Sequence, residues 1–308
     1  MAVLAVKLHQ VNGQFGTSHF LLDAVETRML GLVKQTSALP HGVEPIAQQA
    51  AAYHLTSGGQ RIRAQLAIEA SLASKLSLGD AVSIAAASEL VHNASLIHDD
   101  LQDSGPTRHG VDTVWSAYGV EIAVCAGDLL LSAAYCALAG VSRTHLLPML
   151  ISVLHHRISD ASIGQCADLS NNKRRVFSLD DYQNFAALKS GSLFSLPIEL
   201  ALAAGGELQA ITVARRAAES FAIGYQIFDD LNDVQEDLSR CSSQPAINVV
   251  AVMHANNGSG DARALASKLA IRHLDIAAES SLLLPHQSGQ LLHRLALDFS
   301  AHISLASI

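Results

Sequence analysis

Two short acidic clusters hold the side chains best suited to chemistry. Asp99-Asp100-Leu101-Gln102-Asp103 lies in the run LVHNASLIHDDLQDSG, and Asp229-Asp230-Leu231-Asn232-Asp233 lies in FAIGYQIFDDLNDVQED, about 130 residues further on. On a helix, residues four apart share a face, so Asp99 points with Asp103 and Asp229 with Asp233. Like charges at that spacing repel, and carboxylates beside an apolar core lose hydration. One such cluster reads easily as a solvated helix end. Two copies of one pattern read as two halves of a single site. Clustered hard oxygen donors suit Mg2+, which takes a few carboxylates, keeps waters and shares its shell with substrate phosphates. Asp99, Asp100, Asp103, Asp229, Asp230 and Asp233 are therefore the candidate metal ligands.

The elements that must position these clusters are helical. From about Leu21 onward, apolar residues recur at three- and four-residue steps through 43–57, 62–76, 80–103, 119–141, 143–168, 178–204, 208–238 and 261–283. Alternating strand patterns with hairpin signals are hard to find, and only the opening VLAVKLHQV reads as extended. Breaks are expected at Gly58-Gly59, Gly79-Asp80, Ser104-Gly105-Pro106, Gly140, Gly205-Gly206 and Asn256-Asn257-Gly258. Aromatic residues make up only 5% of the chain and alanine is abundant, which lets helices pack closely. No linker, composition shift or solenoid-length repeat divides the sequence. The expectation is an all-α protein with one domain spanning residues 1–308.

Hydrophobic residues at 49% against 16% charged fit deep burial. The positive mean hydropathy of +0.26 raises the question of a membrane. The most apolar stretch, Leu129 to Val141, reads as too short to span and follows Asp128, so no transmembrane segment is expected. Lys7 and His9 interrupt the apolar start, which does not read as a signal peptide. A net charge of −8 argues against a nucleic-acid partner. It leaves a phosphorylated substrate open, because bound divalent cations reverse the local field of an acidic site. Cys125, Cys136, Cys166 and Cys241 show no metal-ligand spacing, and three of them sit in apolar helical runs. They read as reduced core cysteines of a cytoplasmic protein.

With both clusters placed, the chain resembles the trans-isoprenyl diphosphate synthases, the polyprenyl synthetase family, from about residue 50 to 240. The landmarks stand in that family's order. Gly58-Gly59-Gln60-Arg61-Ile62-Arg63 precedes the first cluster, and Arg108-His109-Gly110 follows it. Then come Ala126-Gly127-Asp128, Gly164-Gln165 with Asp168, Lys189-Ser190-Gly191, and Gln226 ahead of the second cluster. The resemblance implies a bundle of long helices around a deep central cavity, usually as a homodimer. It also implies the reaction: an allylic diphosphate ionises, the double bond of isopentenyl diphosphate attacks the cation, and a proton and pyrophosphate leave. About three Mg2+ ions per site would stabilise the leaving diphosphate as Lewis acids and as a template. Among the carboxylates Asp99, Asp103 and Asp229 are the foremost ligands, with Asp100, Asp230 and Asp233 ligating directly or orienting metal-bound water. Arg108 and Lys189 resemble the family's contacts to the allylic diphosphate, with Ser190 beside them; alone, either cation would read as half of a surface salt bridge. Gln165 and Gln226 present amide dipoles to developing charge, or are simply satisfied buried amides. Phe194, Phe221, Tyr225 and Phe228 are candidate cavity-lining aromatics.

The isopentenyl diphosphate pocket departs from the family pattern. Gln60 stands where a lysine is usual and His109 where a second arginine is usual, while Arg63 and His92 remain in place. A charge-assisted hydrogen bond contributes about 1.5–3 kcal/mol against about 1 for a neutral one, so acceptor binding should be weakened. After the second cluster the chain reads VQEDLSRCSSQPAINVV and has no lysine, which leaves Arg240 as the substitute contact. One helical turn before Asp99, Ala94 and Ser95, with Val91, Ser88 and Ala87 deeper, offer no bulky stop to a growing chain. Products of about twenty carbons or longer are expected on that geometry, unless Ala94 merely packs against a neighbouring helix. A class I terpene synthase would carry an Asn/Asp-Ser-Glu second motif, which Asp229-Asp230-Leu231-Asn232-Asp233 lacks. A non-elongating or non-catalytic paralogue that binds allylic diphosphate is the other alternative, although both clusters are retained. An HD-type phosphohydrolase built on His98-Asp99 would leave Lys189 and the second cluster unexplained.

Overall fold

The computed structural model describes residues 15–35, 40–171, 178–239, 248–257 and 261–306. The described residues are helical apart from one short two-stranded ribbon, and the chain divides into two compact units, residues 1–151 and 152–308. The opening VLAVKLHQV, Arg240 and Cys241 lie outside the described residues.

In the first unit, α1 (Phe15–Lys34) buries Leu21, Val25, Met29 and Val33, a four-residue stripe that gives the helix one apolar face. It is followed by α2 (Ile46–Thr56), α3 (Ile62–Ala73) and the long α4 (Leu78–Gln102), which carries the first acidic cluster. Helix α4 starts at Ser77, whose hydroxyl accepts the Asp80 amide at 3.0 Å, so Gly79 and Asp80 belong to its first turn rather than to a break. It packs against α3, against α1 and most extensively against α6 (Val120–Leu138). Alanines make this contact close: Ala81, Ala85, Ala86, Ala87 and Ala94 on α4, and Ala123, Ala126, Ala133, Ala134 and Ala137 on α6, are all buried. A Cβ added at Gly127 would overlap the His98 ring, so the glycine lets that imidazole lie against α6 next to Asp99.

Between α4 and the short α5 (Val114–Tyr118) the chain forms the ribbon that no alternation pattern announced. β1 (Thr107–Arg108) pairs antiparallel with β2 (Val111–Asp112), and Arg108 stands opposite Val111. The turn residues His109 (φ 52°) and Gly110 (φ 82°) are both left-handed, as a two-residue hairpin of the type I′ class requires. Thr113 Oγ1 and Trp115 Nε1 each donate to the Gly105 carbonyl at 2.9 Å and anchor the ribbon's base.

The division into units falls within α7 (Leu147–Asn171). In the second unit α8 (Leu179–Ala186) opens with a capping box, Ser178 and Asp181 each bonding the other's backbone amide. It runs through one π-helical turn, Ala187–Gly191, into α9 (Ser192–Gly205), which is buried from Ser192 to Ala204. Helix α10 (Ile211–Ser239) carries the second acidic cluster and packs on α12 (Ala262–Leu282), α9 and the π turn. Its Gly224 has no room for more: a Cβ there would lie 2.7 Å from Leu274 Cγ. The unit is completed by α11 (Val249–Asn257) and α13 (Gln290–Ala306), which lie outside the segments picked out from periodicity. Phe194, Phe221, Tyr225 and Phe228 form one aromatic cluster with Phe299, with ring centroids 4.9–6.1 Å apart. Phe194 and Phe221 are buried in that cluster, as core rather than as an open lining.

Two expectations from composition change. Cys125, Cys136 and Cys166 are free thiols, but they are exposed, because each lies on the side of its helix away from the buried stripe. The apolar run ending near Val141 extends back through Asp128 and Glu121, so Val120–Leu138 is long and apolar enough to cross a membrane by length and composition, as is Leu179–Gly205. The second is mostly buried, at 72%, which is what a core helix gives; the first is 39% buried.

Ala94 and Ser95 both lie about one turn before Asp99, but neighbours on a helix are turned about 100° from each other. Ser95 stays with Asp99 and is half-buried, whereas Ala94, Val91, Ser88 and Ala87 are all at 2% exposure or less. An aromatic at position 94 must therefore overpack the first unit. Ala94→Phe is expected to cost about 1–3 kcal/mol, read as a lowered midpoint in thermal unfolding. An unchanged midpoint would show that the site is open.

Candidate active site

The first cluster sits at the carboxyl end of α4, where the helix dipole adds to the repulsion among its acids. Asp99 is half-buried and Asp103 is exposed; the Asp103 amide closes the last turn onto the Asp99 carbonyl at 2.8 Å. Asp100 is different. It is 6% exposed and carries Arg108, whose Nε lies 3.0 Å from both carboxylate oxygens while Nη2 lies 2.8 Å from Oδ1. This fork of charge-assisted bonds neutralises Asp100 and fixes the guanidinium that the ribbon delivers.

The second cluster repeats the arrangement with neutral partners. Asp230 is 5% exposed and accepts from the Tyr182 hydroxyl at 2.9 Å, Gln226 Nε2 at 3.0 Å and the Val249 amide at 2.7 Å. Its own carbonyl accepts Asn248 Nδ2 at 2.9 Å. Burial, then Asp230 and Asp229, push the Tyr182 phenol well above its usual range, so it stays a donor. Asp229 is half-buried and Asp233 exposed. Burial, followed by the neighbouring charges of Asp233 and Asp230, raises the Asp229 carboxyl to about 7, against a hydrogen bond from Tyr225 that favours the anion.

The donor set fits Mg2+. In each cluster the first and fifth residues are oxygen donors held at repulsive spacing, and a dication relieves the penalty that raises Asp229. Among the described residues no group of three or more His, Cys, Asp or Glu side chains converges to hold a metal unaided.

Lys189 lies in the π turn and donates to Asp168 at 3.2 Å, with Ser190 half-buried beside it. The approach that makes this pair possible depends on Gly164, where a Cβ would lie 2.9 Å from the Lys189 Cα. Single π turns are frequent at functional sites, since they re-aim side chains within a helix. Gln226, a candidate for contact with substrate, has its amide on Asp230.

In the first unit the loop before α3 has left-handed φ at Gly58, Gly59 and Arg61. That path turns Arg61 back onto the Leu55 carbonyl at 2.6 Å and onto Glu26 at 3.1 Å, with Glu89 at 4.0 Å. Gln60 and Arg63 are half-buried, and His109 is exposed at the ribbon turn. His92 was counted as a basic contact, but burial, followed by Arg63 and Arg108, holds it well below the usual imidazole range and therefore neutral. His54 was not singled out at all. It is 6% exposed, and burial, then Arg108 and Arg61, lower it to about 4 against a hydrogen bond with Asn93. A lone histidine in an apolar helical run gives no signal in the sequence; only the fold brings it beside Arg108.

Comparison with known proteins agrees with this arrangement. The polyprenyl synthetase family model matches residues 44–243. A geranylgeranyl diphosphate synthase of Mycobacterium tuberculosis is 34% identical over 141 residues, which cover 46% of this chain and 40% of that protein. One from Cyanophora paradoxa is 29% identical over 205 residues, 64% of this chain and 68% of that protein. The first curated relatives are matched over only 31–40% of their own length. The solved structure of a geranylgeranyl pyrophosphate synthetase from the archaeon Geoglobus acetivorans superposes with a TM-score of 0.81 at 21% identity, covering 92% of this chain and 98% of that one, and so shows the same all-α fold. The chain belongs to the polyprenyl synthetase family.

Because Asp229 is raised, the metal-free folded chain keeps a proton that the unfolded chain releases near the ordinary carboxylate value of 3.8. The stability this group lends is present at low pH and is lost as pH rises from about 3.8 to about 7. A dication has to displace the same proton. The Mg2+ concentration giving half-maximal thermal stabilisation is therefore expected to rise about tenfold per unit as pH falls below about 7, and Asp229→Asn should remove that slope. A flat wild-type dependence between about pH 5.5 and 7.5 would take Asp229 off the metal.

Proposed function

We propose that this chain is a Mg2+-dependent trans-prenyltransferase that joins an allylic diphosphate to isopentenyl diphosphate, releases pyrophosphate and makes products of about twenty carbons or longer. The observation that carries the reading is the division of labour within both clusters. The second Asp of each is buried and bonded, Asp100 by Arg108 and Asp230 by Tyr182, Gln226 and Val249, while the first and fifth share one helical face at repulsive spacing. Asp99, Asp103, Asp229 and Asp233 hold the metal, and Asp100 and Asp230 hold Arg108 and Tyr182 in place. Pairing the two clusters on one diphosphate is supported by the doubled motif and by family membership, and on that reading residues 1–308 act as one catalytic domain. Bound Mg2+ supplies Lewis acidity to the departing diphosphate. The chain's own contributions are the Arg108 and Lys189 cations, which bind and orient that group.

Arg63, His92 and Gln60 form the acceptor side, with His109 at its rim. Ser95, on the face of α4 that carries Asp99, is the residue placed to meet a growing chain. The exposed apolar side chains of α6, Val120 and Val124, favour a homodimer in which a second copy covers them. Glu121 and Asp128 on the same helix suit that role better than lipid, and we place the protein in the cytoplasm without a membrane span. Other assigned functions of the polyprenyl synthetase relatives, solanesyl and geranylgeranyl diphosphate synthesis among them, fit this product range.

The test is incubation with Mg2+, isopentenyl diphosphate and each of the C5, C10 and C15 allylic diphosphates, followed by product chromatography. Prenyl diphosphates longer than the primer are expected. Asp99→Ala should lose at least about a hundredfold in kcat while keeping its helical circular dichroism, as removal of a group that organises transition-state charge does. No elongated product from any primer would overturn the reading, and diphosphate binding without turnover would identify a non-elongating paralogue. Ser95→Phe is expected to shift products toward shorter chains in the same assay. An unchanged product distribution would place the floor of the channel on another helix.

A further inference from the structure

Two of the fixed charges near the acceptor side of the first unit, Arg61 and Arg108, are already engaged. Arg61 is turned onto Leu55, Glu26 and Glu89, and Arg108 lies along Asp100. Gln60 brings no charge, and its carbonyl accepts Gln65 Nε2 at 2.8 Å. The groups whose charge can still respond are imidazoles. His54 on α2 faces Arg108, Arg61 and His109 and shares a hydrogen bond with Asn93. His92 on α4 faces Arg63, Arg108, Arg61 and His54, and its Nδ1 is buried with no hydrogen-bond partner. Of the buried acids nearby, Asp100 holds Arg108, and Glu89 is occupied by the Ala64 amide at 3.0 Å, Asn93 Nδ2 at 3.2 Å and Arg61. Buried neutral imidazoles ringed by guanidiniums form a site for an anion together with a proton. The anion cancels the repulsion that keeps the ring neutral, and the ring can then give a charge-assisted bond.

We propose that His54, working with His92, takes up a proton as isopentenyl diphosphate binds and so supplies the positive charge that Gln60 lacks. The inference rests on the function proposed above. The proton comes from solvent to a ring nitrogen as the anion enters and returns to solvent when it leaves; no covalent bond changes. In the empty site His54 titrates at about 4, so its ring is neutral at neutral pH. A bound polyanion raises that value. Binding therefore tightens as pH falls through the bound-state pKa and stops tightening near the empty-site one.

Calorimetry of isopentenyl diphosphate binding to the full chain with Mg2+ at about pH 7.5, in buffers of differing protonation enthalpy, reads the uptake directly. About half a proton or more per site is expected in the wild type, and less than half of that in His54→Gln. The KM for isopentenyl diphosphate should fall about three- to tenfold between pH 8.5 and 6.5 in the wild type, with a much shallower fall in His54→Gln. Gln60→Lys, which puts a permanent charge in the loop, should lower KM about tenfold and flatten its pH dependence. Measurable binding with no proton uptake overturns the inference, as does undiminished uptake in a folded His54→Gln protein. Where that variant does not fold, an unaltered KM profile in Gln60→Lys overturns it instead. Absence of isopentenyl diphosphate binding at every pH overturns the functional reading itself.

Discussion

A carboxylate removed from water must find donors, and α4 is arranged around that requirement. Its inward face carries Glu89, Asn93 and Asp100, at steps of four and seven, with 1%, 3% and 6% exposure. Each is satisfied by a group from a different segment: Glu89 by the Ala64 amide and Arg61 on the loop and helix before it, Asn93 by His54 on α2 and by Glu89, Asp100 by Arg108 on the ribbon. Leaving any of these unpaired would cost the full desolvation penalty, so the polar stripe dictates where the flanking segments dock. The neighbouring stripe, His92, Ser95, Asp99 and Asp103, lies about 100° round the helix from this one. The same rule recurs on α10, where Asp230 ties together Tyr182, Gln226 and Val249 while Asp229 and Asp233 lie on a different face of the helix.

Close approach is the second requirement, and glycine meets it at the places where a functional side chain is set. Gly127 admits the His98 ring beside Asp99, and Gly164 admits the backbone of the π turn that aims Lys189. Gly191, at the end of that turn, lies against Glu219, whose Cα would be 3.1 Å from an added Cβ. These helices are held at backbone distance, where a methyl group would separate them, so the position of Lys189 is coupled to packing some distance along the chain.

Much of this was legible in the residues. Helix periodicity located α4 and α10, and the doubled Asp spacing separated first and fifth positions from the second by elementary helix geometry. The breaks at Gly58-Gly59, Ser104-Gly105-Pro106 and Gly205-Gly206 are where helices stop. Other features were not legible, for physical reasons. The ribbon at Arg108 is two residues per strand, too short for any alternation, and depends on left-handed φ at His109. Tyr182 reaches Asp230 across 48 positions, a contact with no local signature. The cysteines of α6 were placed in the core because that helix is more apolar than its buried face requires. Ala94 and Ser95 differ in burial because one helical step turns them about 100° apart: Ala94 is buried and Ser95 half-buried.

The charge pattern of the acceptor side follows from the same accounting of partners. An arginine that completes the fold is not thereby available to a ligand, and Arg61, held by Leu55, Glu26 and Glu89, completes it. Gln60 brings no charge to this loop, and its backbone carbonyl accepts Gln65 Nε2. Imidazoles are the groups that can remain neutral while the site is empty and become charged when an anion arrives, because their ordinary titration lies close to neutrality. Burial beside guanidiniums moves His54 and His92 to the neutral side of that balance. On the inference drawn above, neutral imidazoles carry less self-repulsion than permanent cations would, and the charge that holds a diphosphate is created by the diphosphate's own field.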